Sequence, residues 1–410
     1  MSIKTILRKG LSKLGIGKVR RAAEGMSARY YLKKVGKKTV DADVIKVAFL
    51  VYEPAMWDKQ EPVYIELKSR ENVQVYLIAT PEGDAVDQEA TARKIDFFCR
   101  KYQNVLTYDD SILERFASGE FHYTFYQTPY IAKYPAEIRP AKLVKYTKIC
   151  YVPYAYVGSS DFFETSSKTN FFENVYFAFM DNAAMLQVVQ DKFPRTSKNG
   201  TQHFELLGYP PFEYYTNMPA PKEKIENVLW IPRWSYAEKG GGSHFLEHKD
   251  LFNALAKEEP QMNWAVRPHP LMFPSMARLG LFSCEQAAAY RQQLQEAGVR
   301  LDENSLVNEA LEQTDLLLAD YSSIIIMYFL SGRPIVYFDC GIEMNGIYAE
   351  MREGMYIAKT WEEAKAYIND LKNGIDPLKE KRLEIAGREA ALHQDASKKI
   401  VDRIIQDFGW

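Results

Sequence analysis

The segment DLLLADYSSIIIMYFLSGRPIVYFD, Asp315 to Asp339, decides the fold. Leu316-Leu317-Leu318-Ala319 is a short apolar run bounded by acids, the pattern of a strand buried on both faces. Asp320, Tyr321, Ser322 and Ser323 follow. Short polar side chains suit the start of a helix, where the first N–H groups lack partners. Ile324 to Leu330 continues as an apolar helix, Gly332 and Pro334 stop it, and Ile335 to Phe338 is the next buried strand. This is a parallel βαβ unit with hydroxyls at the helix N-terminus, a place where phosphate binds. A phosphorylated ligand is the first functional expectation.

Outward from this segment the same alternation repeats. Upstream, Asn227 to Ile231 reads as a strand, 240–242 as a Gly-rich loop, and Lys249 to Glu258 as a helix. Trp264 to Val266 is a strand ending at Arg267-Pro268-His269-Pro270. A helix from Cys284 to Ala297 and a short strand near Val299 complete that block. Helices at about 360–373 and 378–395 close the chain. Nearer the N-terminus, Lys46 to Val51 and Val73 to Ala79 are strands, Thr91 to Tyr102 is a helix, and Tyr123 to Tyr126 and Ile149 to Val152 are strands. The aromatic-rich region 150–215 resists division into elements. Gly208 to Pro211 is a turn, and Pro219 to Lys224 a linker. A chain of 410 residues is too long for one core. Two α/β blocks predict two Rossmann-like domains facing a central cleft, over 41–218 and 219–410.

The composition, 47% hydrophobic and 26% charged, is that of a soluble globular protein. The sequence holds neither an apolar run long enough for a membrane span nor a signal-peptide core. Cys99, Cys150, Cys284 and Cys340 form no CxxC pair and read as buried free thiols of a reducing compartment. The net charge of -2 hides an asymmetry. Residues 1–38 carry twelve Lys or Arg against one acid, Glu24. Ile3, Ile6, Leu7, Leu11 and Leu14 recur there at helical spacing among Lys4, Arg8, Lys9, Lys13 and Lys18. A basic amphipathic helix over 1–40 suits an anionic membrane surface. A disordered solubilising tail and an organellar transit peptide are the alternatives. A nucleic-acid arm fits poorly, because the remaining body is acidic.

In an open parallel sheet, ligands sit beyond the carboxyl ends of the strands. That rule selects three loops. One holds Arg233, Trp234, Gly240, Gly241, Gly242, Ser243 and His244; one is Arg267 to Pro270; one is Asp320 to Ser323. Arg267 and His269 are two residues apart at a strand end, so they point to one side between stiffening prolines. A guanidinium and an imidazole so held can neutralise a pyrophosphate leaving group, and His269 can donate it a proton. A solvated loop is the bland alternative, as helix capping is for Ser322 and Ser323. His244-Phe245-Leu246-Glu247-His248 matches the literal HxxEH pattern of inverted zinc peptidases. Its context, a Gly-rich turn inside a βα unit, argues against zinc. After the first strand, Glu53 is a possible general base for an acceptor hydroxyl; capping by Glu53 and Asp58 is the alternative. The Tyr-rich stretch 151–156 reads as packing.

These motifs resemble the CDP-glycerol glycerophosphotransferase family of teichoic-acid and capsule polymer synthesis. LLLADYSSIIIMYFLSGRPIVYFD resembles its Asp-Tyr-Ser-Ser signature, AVRPHP its Arg-x-His-Pro element, NVLWIPRWS the opening of its nucleotide domain, and LLGYPPFE the Gly-x-Pro turn before it. The resemblance covers roughly 200–345. It implies a GT-B architecture with an acceptor domain over 41–218 and a CDP-alditol donor domain over 219–410. His269 would be the donor-side catalytic or phosphate-binding histidine. Ser322 and Ser323 would contact donor phosphate, Asp320 and Tyr321 would shape their turn, Arg267 would be an auxiliary ligand, and Arg233, Gly241, Gly242 and Ser243 a possible donor loop. Family members carry a His-Gly motif late in the first domain. Here that region reads Cys150-Tyr151-Val152-Pro153-Tyr154-Ala155-Tyr156, and neither His122 nor His203 is followed by glycine.

The expected activity is transfer of an alditol phosphate, glycerol phosphate or similar, from a CDP-linked donor to a hydroxyl of a polymer or lipid-linked acceptor. No metal or cofactor is called for, since these side chains can do the neutralising. The implied place is the cytoplasm, peripheral on the inner face of a bacterial membrane, held by residues 1–38. The alternatives are a GT-B glycosyltransferase using a nucleotide sugar and a non-catalytic membrane-bound scaffold.

Overall fold

The computed structural model describes residues 16–37, 43–83, 87–156, 170–236, 242–304, 307–342, 344 and 346–410, with side chains from Ala22 onward. The apolar repeat at 3–14 and Gly241 lie outside the described residues. Two compact units form, Met1–Pro210 with Asp395–Trp410, and Pro211–Gln394.

The first unit holds helix α1 (Ile16–Gly36) and a parallel sheet of seven strands: β1 (Ile45–Val51), β2 (Val73–Ala79), β3 (Val105–Thr107), β4 (Tyr123–Tyr126), β5 (Lys148–Tyr151), β6 (Phe177–Phe179) and β7 (His203–Glu205). Their order is β3-β2-β1-β4-β5-β6-β7. Helix α2 (Glu61–Lys68) follows β1. Central β1 is apolar on both faces because both are covered; Val47 to Val51 have no solvent exposure. Phe49 stacks on Phe125 of β4 at 4.6 Å. Helix α1 packs on β5 and on the turn Phe172–Asn174. It buries Ala28, Leu32 and Val35, a narrow stripe at helical spacing. Part of the basic arm is therefore docked on its own domain.

The second unit holds β8 (Asn227–Ile231), α3 (Phe245–Glu258), β9 (Asn263–Val266), α4 (Met272–Arg278), α5 (Cys284–Glu296), β10 (Val299–Leu301), β11 (Leu316–Ala319), α6 (Ile324–Phe329), β12 (Ile335–Phe338) and β13 (Tyr356–Ala358). Its parallel order is β10-β9-β8-β11-β12-β13. The opening segment is the expected strand–helix–strand, and every residue of β11 and β12 is buried. Trp230 of β8 packs against Phe252 of α3 at 5.0 Å, and Phe245 meets Tyr290 of α5 edge-on at 5.1 Å.

After Trp361–Lys372 and Lys379–His393 comes a third closing helix, α7 (Ala396–Phe408), which returns to the first unit. The expected boundary at 218/219 and the expected assignment of all of 219–410 to one domain differ from this division. The reason lies in packing: α7 buries Ile400, Val401 and Ile404 and packs on α2. Its stripe is readable in sequence, but its partner is not.

Candidate functional site

Strand order in the second unit reverses between β8 and β11, and the candidate loops leave the carboxyl ends there. Asp320, next after β11, has no solvent exposure. Its Oδ2 accepts from the Arg233 N–H at 2.8 Å and the His244 N–H at 3.3 Å, and its Oδ1 lies 2.7 Å from His244 Nδ1. A buried carboxylate needs such partners to stay ionised. The Asp320 hydrogen bond, against the cost of burial, raises the His244 pKa above its ordinary value. Arg233 donates through Nη1 to Tyr321 O at 2.8 Å and lies 5.3 Å over the Tyr321 ring. Asp320 thus organises the junction.

In sequence His244 closes the Gly-rich candidate loop and is half of the HxxEH pattern, with nothing to mark Asp320 as its partner. Its ring lies parallel to that of His248 at 5.3 Å, but its Nδ1 is committed to Asp320. His248 is buried beside Phe338 at 4.6 Å and Trp361 at 5.4 Å, and burial, then the His244 charge, lowers its pKa. Among the described residues no three His, Cys, Asp or Glu gather as a metal group. A signal for His244 did exist: an acid directly after a four-residue buried strand demands a partner.

Ser322 Oγ accepts from the Ile324 N–H at 3.3 Å, so it begins α6 as a cap does. Ser323 stands at the cap position without a side-chain capping bond and is exposed. Ser243 Oγ donates to Tyr236 OH at 3.0 Å and accepts from the Phe245 N–H at 3.4 Å. Gly242 has φ +95°, and a Cβ there would fall on Cys340 Cβ. Its role is to leave room.

The loop after β9 joins this junction through Trp234, whose ring lies 5.9 Å from that of His269. His269 is exposed at one edge. Its Nδ1 accepts from the Leu271 N–H at 3.1 Å, so in the neutral ring the proton is on Nε2. Crowding by the loop, then the Arg233 and Arg267 charges, hold its pKa below the ordinary value. Arg267, expected as an auxiliary phosphate ligand, is held by partners of its own unit. Its Nη1 donates to the buried Asp302 at 2.6 Å and its Nη2 to Asn304 O at 2.8 Å. Asp302 was not singled out in sequence. Arg267 and His269 border a cavity of about 550 Å³, with Phe273, Ala287, Arg291 and Glu303 among its walls.

Glu53, in the first unit, accepts from the Ala55 N–H at 3.4 Å as cap of the turn Pro54–Lys59, and pairs with Lys94 at 2.6 Å. Gln127 clamps its backbone, accepting from the Glu53 N–H at 2.9 Å and donating to Glu53 O at 2.7 Å. These are structural duties.

Residues 211–406 match the family model described as CDP-Glycerol:Poly(glycerophosphate) glycerophosphotransferase. The chain is similar over its full length to a solved structure of the wall teichoic acid polymerase TagF, covering 99% of that chain at 14% identity with a TM-score of 0.57. A second TagF structure, the H444N form with CDPG, matches at 15% identity, covering 100% of this chain and 98% of that one, with a TM-score of 0.55. UDP-GlcNAc 2-epimerase from Neisseria meningitidis matches 88% of this chain and 99% of its own at 11% identity, with a TM-score of 0.57. At these identities the structural likeness speaks for the two-domain fold. No curated protein compared with the chain matches it.

Proposed function

From the match of residues 211–406 to the CDP-Glycerol:Poly(glycerophosphate) glycerophosphotransferase family we propose that the chain moves glycerol phosphate from CDP-glycerol to an acceptor hydroxyl. The acceptor hydroxyl attacks the phosphorus bonded to glycerol and releases its proton to solvent water. The bond from that phosphorus to the bridging oxygen breaks, and CMP leaves with the electron pair. His269 presents Nε2–H to the leaving phosphate, because Leu271 occupies Nδ1. Arg233, the His244 imidazolium, Ser322 and Ser323 surround the diphosphate. Arg267 acts through Asp302 and Asn304 by fixing the loop that carries His269. The 550 Å³ cavity beside His269 takes the nucleoside. No proton transfer is assigned to Glu53, given its pairing with Lys94.

The acceptor is a cell-surface polymer or lipid-linked chain, and the enzyme works peripherally on an anionic membrane face through residues 1–38. No helix among the described residues is long and apolar enough to cross a membrane. The observation that carries the donor reading is His269, exposed at the cavity mouth with its tautomer fixed. His269→Ala is expected to lower kcat about 10²- to 10⁴-fold, the usual scale of one acid–base group, while CDP-glycerol still shifts the melting temperature. Donor labelled in the glycerol-bound phosphate is expected to deliver that phosphate to product. Full activity in the variant, or label retained in the nucleotide, overturns the proposal.

A further inference from the structure

Three distant stretches of the first unit lie next to one another in a row that the donor chemistry does not use. The outer side of α1 exposes Met26 (59%) and Tyr30 (65%), among exposed Arg29, Lys33, Lys34 and Lys37. Tyr30 meets Tyr31 edge-on at 5.2 Å, and Lys145 Nζ lies 5.6 Å from the Tyr31 ring centre. The next residue, Tyr146, is 38% exposed. Val35 of α1, Tyr146 and Phe408 of α7 line one gap of about 30 Å³, a seam with room for a water and nothing larger. Phe408 carries Trp410 edge-on at 4.9 Å, and Trp410 is 48% exposed. So aromatic rings and cations run from α1 through Tyr31 and Lys145 to the stretch before β5, and from there through the seam to the exposed end of α7.

Single exposed apolar residues need no explanation, but this combination does. Tyr and Trp rings with one apolar and one polar end settle at headgroup depth in a bilayer. Lysines and arginines beside them draw anionic headgroups. Opposing charge is limited: Glu24 is the one acid among the described side chains of α1, Glu173 Oε2 lies against Gly25 on the side that packs on the domain, and Asp407 at the seam is paired with Lys148 at 2.6 Å. A protein partner fits less well, since lysine is depleted from the cores of protein interfaces.

We infer that Tyr30, Tyr146 and Trp410, with Arg29, Lys33, Lys37 and Lys145, form a docking surface for an anionic lipid bilayer. The inference rests on the membrane reading above and extends it to residues far in sequence from the basic arm. The test is flotation of the full chain with phosphatidylcholine vesicles, with and without phosphatidylglycerol. The wild type is expected to float only with phosphatidylglycerol, and less so in high salt. Combined Tyr30→Ser, Tyr146→Ser and Trp410→Ser is expected to weaken partitioning about tenfold or more, since binding follows the apolar area inserted. Circular dichroism and transfer to a water-soluble acceptor should stay at wild-type levels. Bromine-labelled lipid should quench wild-type tryptophan fluorescence and quench Trp410→Phe far less, because Trp57, Trp230, Trp264 and Trp361 are buried and Trp234 is half-buried beside His269 in the second unit. Wild-type flotation of the triple variant, alongside lost flotation when Lys4, Arg8, Lys9 and Lys13 become glutamine, overturns this inference and leaves the membrane reading standing. No flotation of the wild type overturns both.

Discussion

Asp320 sets the charge of the site without touching solvent. Its hydrogen bond holds His244 as a cation to a higher pH than a free histidine. A raised folded pKa means that the imidazolium, and the stability it adds, are fully present below the unfolded value and are lost as pH rises through the folded one. If that cation faces the donor diphosphate, kcat/KM for CDP-glycerol holds up to the folded pKa and falls above it. Asp320→Asn keeps an oxygen for the Arg233 N–H but no longer holds an imidazolium, so the His244 pKa should drop toward about 6.5. The alkaline fall of kcat/KM is expected to move to lower pH by that amount. Activity below both values should change little. A pH–rate profile decides it: an unmoved alkaline limb in Asp320→Asn removes His244 from donor binding.

At the scale of elements, the sheet strands were the most legible part of the chain. β8, β11 and β12 fall where the short apolar runs put them, because a parallel strand covered on both faces must be apolar throughout. The region 150–215 was opaque for a related reason. Phe171, Phe172, Tyr176 and Phe177 are all buried, so turns and strands there carry the same aromatic composition. The site was half legible. Arg267-Pro268-His269-Pro270 and Asp320 to Ser323 stood out as loops at strand ends, whereas His244 and Asp302 take their meaning from partners 76 and 35 positions away. Gly242 was marked as a donor-loop residue, and the structure gives a steric reason for it. At φ +95°, with Cys340 Cβ and Sγ where its side chain would go, only glycine fits without movement. Gly242→Ala should cost about 1–3 kcal/mol through backbone strain and displacement of Cys340. It should also weaken CDP-glycerol binding. Adding Cys340→Gly should restore part of the thermal stability, since it removes the clash and leaves the strain. No loss in the single variant would refute the steric account.

At the scale of the whole molecule, the chain closes by sending α7 back to the first unit, and Asp407 fastens that return. Its carboxylate accepts from Lys148 at 2.6 Å, Tyr123 at 2.7 Å and Tyr176 at 2.9 Å, tying α7 to β4, to β5 and to the turn before β6. Burial alone would raise its pKa, but the bonds from Lys148 and the two tyrosines hold it below the ordinary value. Asp407→Ala leaves Lys148 nearly buried without its counter-charge, which should destabilise the first unit by about 3–5 kcal/mol. Lys148→Met with Asp407→Leu should recover much of this, because a buried pair exchanged for apolar groups of similar size is often close to neutral. Linkage adds a second signature. A depressed carboxyl pKa contributes stability that is complete above the unfolded value, near 3.9, and is lost as pH falls through the folded one. The gap between wild type and Asp407→Ala should therefore be constant at neutral pH and close in acid. Hydrogen exchange of the amides of β4, β5 and α7, measured against pH, reads this unit separately from the second. Protection that is equal in both proteins at neutral pH would show that α7 is held by its apolar stripe alone.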